Sequence, residues 1–154
     1  MSLTIPQQLL DSAAIYLGEV IAPQSNLIDR DADALKIAFQ GMGSRGLLSL
    51  RLPPPWGVGE LSDADFRTLQ MMIPRYSGAL AFLQLQHQSA TGIISASQNQ
   101  DLKALYLSKI AQGEIYLGVG FSQLRRQGEC PMKAIPTEKG YLLTGKVPWI
   151  TGWG

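Results

Sequence analysis

The feature that most constrains this chain is a change of period at Gly113. Up to Gln112 the apolar residues recur three or four positions apart, the spacing of a helix face. Beyond Gly113 the runs are short, β-branched and aromatic, with glycines and turn residues between them. A uniform bundle and a uniform sheet are both excluded. The order predicts an α+β chain: an N-terminal all-α helical bundle over residues 1–112, then a β part over residues 113–154 that is too short for a closed barrel.

Within the first part, Ile5, Leu9, Ala13, Leu17 and Val20, widened by Leu10, Ala14 and Ile21, predict one amphipathic helix from Ile5 to Ile21. Thr4 is its expected N-cap, Pro6 lies in its first turn, and Pro23 is its expected stop. A second helix is expected from about Asp31 to Met42, with Ala34, Leu35, Ala38 and Phe39 as its face and Gly43 as its break. The stretch GSRGLLSLRLPPPWGVGEL contains three consecutive prolines and reads as a long ordered loop. Ser62 and Asp65 have capping-box spacing before the stripe Phe66, Leu69 and Ile73, which Pro74 ends or kinks. GALAFLQLQHQSATGIISAS carries few charges and reads as one or two largely buried helices broken near Gly92, followed by a helix over Gln100 to Ala111.

In the second part, residues 115–122 (IYLGVGFS) predict a strand whose glycines at 118 and 120 let another group lie close to the backbone. MKAIPTEKGYLLTGKVPWIT offers two more strand-like runs joined at Glu138, Lys139 and Gly140.

Charge and cysteine usage narrow the function classes. Thirteen Lys plus Arg against 12 Asp plus Glu leave a net charge of +1, so nothing draws the chain to nucleic acid or to an anionic membrane. Polar Gln7, Gln8, Asp11 and Glu19 interrupt the first apolar segment, which fits neither a signal peptide nor a membrane span. Cys130 is the single cysteine, so no internal disulfide forms. It reads as a small side chain near a strand start, in a soluble, cytoplasmic chain.

His87 is the single histidine, and the sequence offers it neither triad partners nor further metal ligands, so it reads as a hydrogen-bonded packing residue. The glycines of GVGFS lack a dinucleotide fingerprint, and no phosphate-loop pattern occurs. Arg125 and Arg126 fall in an inter-strand loop, facing either solvent or a phosphate-bearing ligand. Trp149 has two readings: filler of a β core, or a flat ring that, with the Thr151 hydroxyl, meets a planar cofactor.

The order of these elements, with YLSKIAQGE (106–114), GFSQ (120–123) and GYLLTGKVPWITG (140–152), resembles the acyl-CoA dehydrogenase family. GMGSRGLLSLRLPPPWGV and SASQNQDLKALYL are similar to earlier family segments, so the resemblance covers almost the whole chain. It implies an N-terminal helical domain and the start of a middle β-barrel domain. A C-terminal four-helix bundle follows in the family, with FAD between the last two domains. Phe121 and Ser122 then fall where the family has an apolar residue and a Thr that meet the flavin. Trp149, Ile150 and Thr151 fall on the Trp-Ile-Thr that packs against the isoalloxazine near N5.

Two departures stand beside this likeness. Gly128 and Glu129 replace the family's Ser-Asp, losing a hydroxyl expected near the cofactor pyrophosphate, and the usual Trp-Ile-Thr-Asn-Gly becomes WITGWG. The resemblance implies α,β-desaturation of an acyl-CoA thioester, with an electron acceptor and a homo-oligomer or other association through the β part. A flavin-dependent monooxygenase of the same fold and a non-catalytic split subunit or pseudoenzyme fragment are the alternatives. The family's catalytic glutamate lies in the C-terminal bundle, so no catalytic residue and no metal ligand is expected here, and this chain alone is expected to be inactive.

Overall fold

The computed structural model describes residues 5–57, 61–121 and 127–151. Helices α1 (Ile5–Tyr16), α2 (Ser25–Ile28), α3 (Ala32–Gly43), α4 (Asp63–Met72), α5 (Gly78–Ala96) and α6 (Gln100–Ala111) precede strands β1 (Met132–Thr137) and β2 (Gly140–Gly145). The α+β order expected from the period change is present.

Local chemistry sets most helix starts. Asp31 accepts from the Ala34 N–H at 2.8 Å and caps α3; Ser62 accepts from the Asp65 N–H at 3.1 Å and caps α4. The Ser62 hydroxyl also donates to the Asp65 carboxylate at 2.6 Å, so the box closes side chain to side chain. Ser77 caps α5 through the Leu80 N–H at 3.0 Å and donates its own hydroxyl to Asp29, tying α5 to the end of α2. Asn99 caps α6 through the Leu102 N–H at 2.9 Å.

Three expectations about the helical part require correction. The single helix expected over Ile5–Ile21 becomes α1 followed by a π turn over Leu17–Ile21 and a 3₁₀ turn over Ala22–Gln24. The wider π turn rotates the face: Tyr16, Leu17 and Ile21 are buried, whereas Ala14 and Val20 face outward. Pro23 does not stop the chain's helical course, because it sits in the first turn of the 3₁₀ segment, where its missing N–H costs nothing. Finally, α5 is unbroken at Gly92, and only one of its faces is buried. The expected Thr4 cap lies outside the described residues.

The core forms where α1, α3, α4 and α5 converge on the Gly43–Gly57 loop. That loop contributes Leu47, Leu48 and Leu50 to this core, and Leu52 to a second cluster with Leu107, Ile110 and Ala111 of α6, each of the four leucines being 0 or 1% exposed. Full burial of such side chains stabilises by about 1.5–3 kcal/mol each, which explains why a proline-rich connection is ordered. A Cβ on Gly43 would strike the Gln112 carbonyl, so a bare backbone there lets α3 seat against the end of α6. Gly113 turns the chain out of α6 with φ +73°, a conformation that favours glycine.

After this turn, Ile115 and Leu117 pack on Leu107, Ile110 and Ala111, while Tyr116 packs toward Phe39. The strand expected over 115–122 is not formed among the described residues; 115–121 adopts no regular secondary structure. A strand needs a hydrogen-bonded neighbour, and the residues beside Gly118 and Gly120 are 147–151, which run past as irregular backbone. β1 and β2 pair antiparallel from Met132↔Gly145 to Thr137↔Gly140 around a two-residue turn at Glu138 and Lys139.

Candidate functional site

Three of the five residues singled out by sequence come together. Phe121, Trp149 and Thr151 line a cavity of about 490 Å³ whose other walls are Val119 and the outward face of α5 at Phe82, Gln86 and Ser89. Phe82, Gln86 and Ser89 stand at i, i+4 and i+7, one stripe of a helix. The opposite stripe, Leu80, His87, Gln88 and Thr91, is buried. One helix therefore floors the cavity and closes the core.

The two β-part segments meet through glycine. A Cβ on Gly118 would strike the Thr151 carbonyl and lie 2.9 Å from Ile150 Cγ2; one on Gly120 would lie 2.8 Å from Val147 Cγ1. Side chains at either position would wedge the segments apart and move Phe121 from Trp149. Ile150 packs over these glycines and is not a lining residue. Ser122, Arg125 and Arg126 lie outside the described residues.

Among the described residues, none that lines the cavity is charged. Two aromatic rings, Phe121 at 46% and Trp149 at 64% exposure, give flat apolar surface, and Gln86, Ser89 and Thr151 add polar groups around it. Such a set fits the ring portion of a flavin, which needs an apolar wall and a few directed donors. Among the described lining residues there is no carboxylate or imidazole to act as a base.

Directly beneath, His87 is fully buried. Its Nδ1 accepts from the Leu117 N–H at 3.3 Å, so the proton resides on Nε2, which donates to the Ile110 carbonyl at 3.1 Å. Phe39 meets the ring edge-on at 4.8 Å between centroids. Burial pushes the His87 pKa down to about 4, against a smaller upward pull from the Ile110 carbonyl. His87 is thus a satisfied packing histidine, as the sequence reading had it. Cys130 is exposed just before β1, with its thiol donating to the Met132 carbonyl at 3.0 Å.

Sequence reasoning missed Phe82, Gln86 and Ser89, because a low-charge helix reads as buried all round. The available signal was the second stripe, in which Phe82, Leu85 and Ile93 fall out of phase with Leu80 and Leu83. Among the described residues no His/Cys/Asp/Glu cluster could hold a metal, and no helix is long and apolar enough to cross a membrane.

Comparison with known proteins accords with this geometry. Solved structures similar to this chain include PigA with FAD and proline and the FAD complex of PigA, each at TM-score 0.77 and 18% identity, covering 97% of this chain and 41% of PigA. Apo-form PigA gives TM-score 0.78 at 18% identity, with 97% and 42% covered. At that identity the likeness is one of fold, and the chain spans about two fifths of PigA's length. No curated protein sequence matches the chain significantly. Residues 6–114, well over half of the chain, match the family described as "Acyl-CoA dehydrogenase, N-terminal domain". The helical layer and the turn at Gly113 fall within that match, and the chain belongs to the acyl-CoA dehydrogenase family.

Proposed function

We propose that this chain provides one side of the active site of an FAD-dependent, acyl-CoA dehydrogenase-like oxidoreductase that desaturates an acyl-CoA thioester. The observation that carries the reading is the cavity between α5 and the aromatic pair Phe121 and Trp149, whose described lining is uncharged. In this reading residues 1–112 are the helical domain and 113–154 begin the middle β domain. Phe121, Ser122, Trp149, Ile150 and Thr151 form the flavin wall, with Ile150 acting from behind as the spacer over Gly118 and Gly120. FAD, when bound, supplies the acceptor for the hydrogen leaving the acyl β-carbon. PigA has been solved with FAD, which supports the cofactor assignment.

The chain's own residues bind, orient and exclude water. Trp149 and Phe121 offer ring faces, the Thr151 hydroxyl offers a directed hydrogen bond, and Phe82, Gln86 and Ser89 face the space for the acyl portion. Among the described residues the lining includes no base, and in this reading the chain by itself is expected to turn over no acyl-CoA and to hold FAD weakly. The base and the electron acceptor come from elsewhere. The outward apolar side chains of the hairpin, Ile135, Tyr141, Leu142 and Leu143, support association of copies through the β part. A cytoplasmic location accompanies this reading.

The test is a titration of the isotopically labelled chain with FAD. Shifts should concentrate at Phe121, Trp149 and Thr151, and Trp149→Ala should abolish them. Shifts confined to other surfaces would overturn the assignment. So would steady acyl-CoA turnover by the chain alone with an artificial electron acceptor.

A further inference from the structure

We propose that His87 is a positioning residue for this cavity: through Nδ1 it holds the 115–121 segment at Leu117 and thereby sets where Val119 and Phe121 stand against α5. The proposal rests on the reading of Phe121 as part of the flavin wall. Its own content is a single side chain joining α5 to two sites far from it in sequence, the end of α6 and the segment that follows it.

At the start of the segment, Ile115 N–H reaches back to the Lys109 carbonyl at 3.4 Å. Leu117 N–H, halfway along, donates to His87 Nδ1 at 3.3 Å, across 30 residues of sequence. Val119 and Phe121, two and four residues further along the same segment, line the cavity, so a hold at Leu117 bears on where they stand.

The anchor is itself rigid. His87 Nε2–H donates to the Ile110 carbonyl at 3.1 Å, near the end of α6, and Phe39 packs edge-on against the ring. The Thr91 hydroxyl donates to the His87 carbonyl at 2.7 Å inside α5. The ring is 0% exposed, so water cannot take over either nitrogen. Gln86, the adjacent residue, lines the cavity on the other side of the same helix turn. Cavity floor and clamp thus share one helix turn, and the imidazole ties that turn to the segment that carries Phe121.

The two ring nitrogens make the role testable, since asparagine can place an acceptor oxygen near Nδ1, whereas glutamine can place an amide donor near Nε2. His87→Asn should keep the Leu117 bond and lose the one to Ile110; His87→Gln should do the reverse. In the labelled chain His87 is the single histidine, so its ring resonances are unambiguous. The parent should show the proton on Nε2 and a protected Leu117 amide. His87→Gln should exchange the Leu117 amide roughly tenfold faster, the order expected for loss of one hydrogen bond, and should shift the Phe121 amide and the Trp149 indole. His87→Asn should do neither.

Equal effects of the two variants at Leu117 would indicate packing alone and overturn the proposal. An unmoved Trp149 indole in His87→Gln would overturn it as well. Should neither variant fold, the parent decides: a proton on Nδ1, or an unprotected Leu117 amide, refutes the clamp. None of these readouts involves FAD, so failure of the flavin reading is distinguished by the titration above.

Discussion

Acidification should weaken this fold through His87 in a window of its own. In the unfolded chain the imidazole takes a proton near pH 6.5, whereas in the folded chain burial holds its pKa at about 4. Between those values the unfolded state binds the extra proton, so stability rises with pH there. The contribution is complete above pH 6.5, falls as pH drops toward about 4, and changes no further below. A shift of about 2.5 units at ~1.36 kcal/mol per unit amounts to roughly 3 kcal/mol at most. That is a large part of the 5–15 kcal/mol typical of a domain.

The assay is urea unfolding followed by circular dichroism at closely spaced pH values, on the parent and on His87→Gln. The variant has no histidine left, so its stability should be nearly flat between pH 6.5 and about 4 while the parent's declines. Asp29 provides an internal contrast. The Ser77 hydroxyl, with smaller help from the Ala79 and Gly78 amides, holds its carboxyl below the usual value of 3.8. Its contribution is therefore present above that value and lost only in more acidic solution, in parent and variant alike. Parallel pH profiles for the two proteins between 6.5 and 4 would refute the assignment of His87 as a buried neutral ring.

Two further substitutions probe the packing. Gly43→Ala should destabilise by about 1–3 kcal/mol, because its Cβ meets the backbone carbonyl of Gln112 and no rotamer change relieves that contact; an unchanged urea midpoint would show that α3 and α6 are not seated this closely. Gln84→Met should stabilise by about 1–3 kcal/mol, since Gln84 is fully buried and both of its amide atoms lack a partner among the described residues; a loss of stability in thermal unfolding would show that the amide is paired.

What the sequence determined is what neighbouring residues settle among themselves. Asp31 and Ser62 each sit three residues before the N–H they accept, the Glu138–Lys139 turn joins two strands that need only each other, and α6 runs over the stretch its pattern indicated. The break at Gly113 was equally legible, because a change from helical spacing to short β-branched and aromatic runs is a local property of the side chains.

The tertiary structure decided whatever depends on residues remote in sequence. Val20 belongs by spacing to the buried stripe, yet the π turn at Leu17–Ile21 carries it outward and buries Tyr16, whose hydroxyl donates to the Ala38 carbonyl at 2.8 Å. Gly92 was free to break α5 and did not, for helical hydrogen bonding outweighs a cost of about 1 kcal/mol for glycine. No local pattern pairs His87 with Leu117, or sets Gln86 and Ser89 against Phe121 and Trp149. Those meetings arise because α5 has two usable faces, and only the packing of α3 and α6 on one of them leaves the other for the cavity.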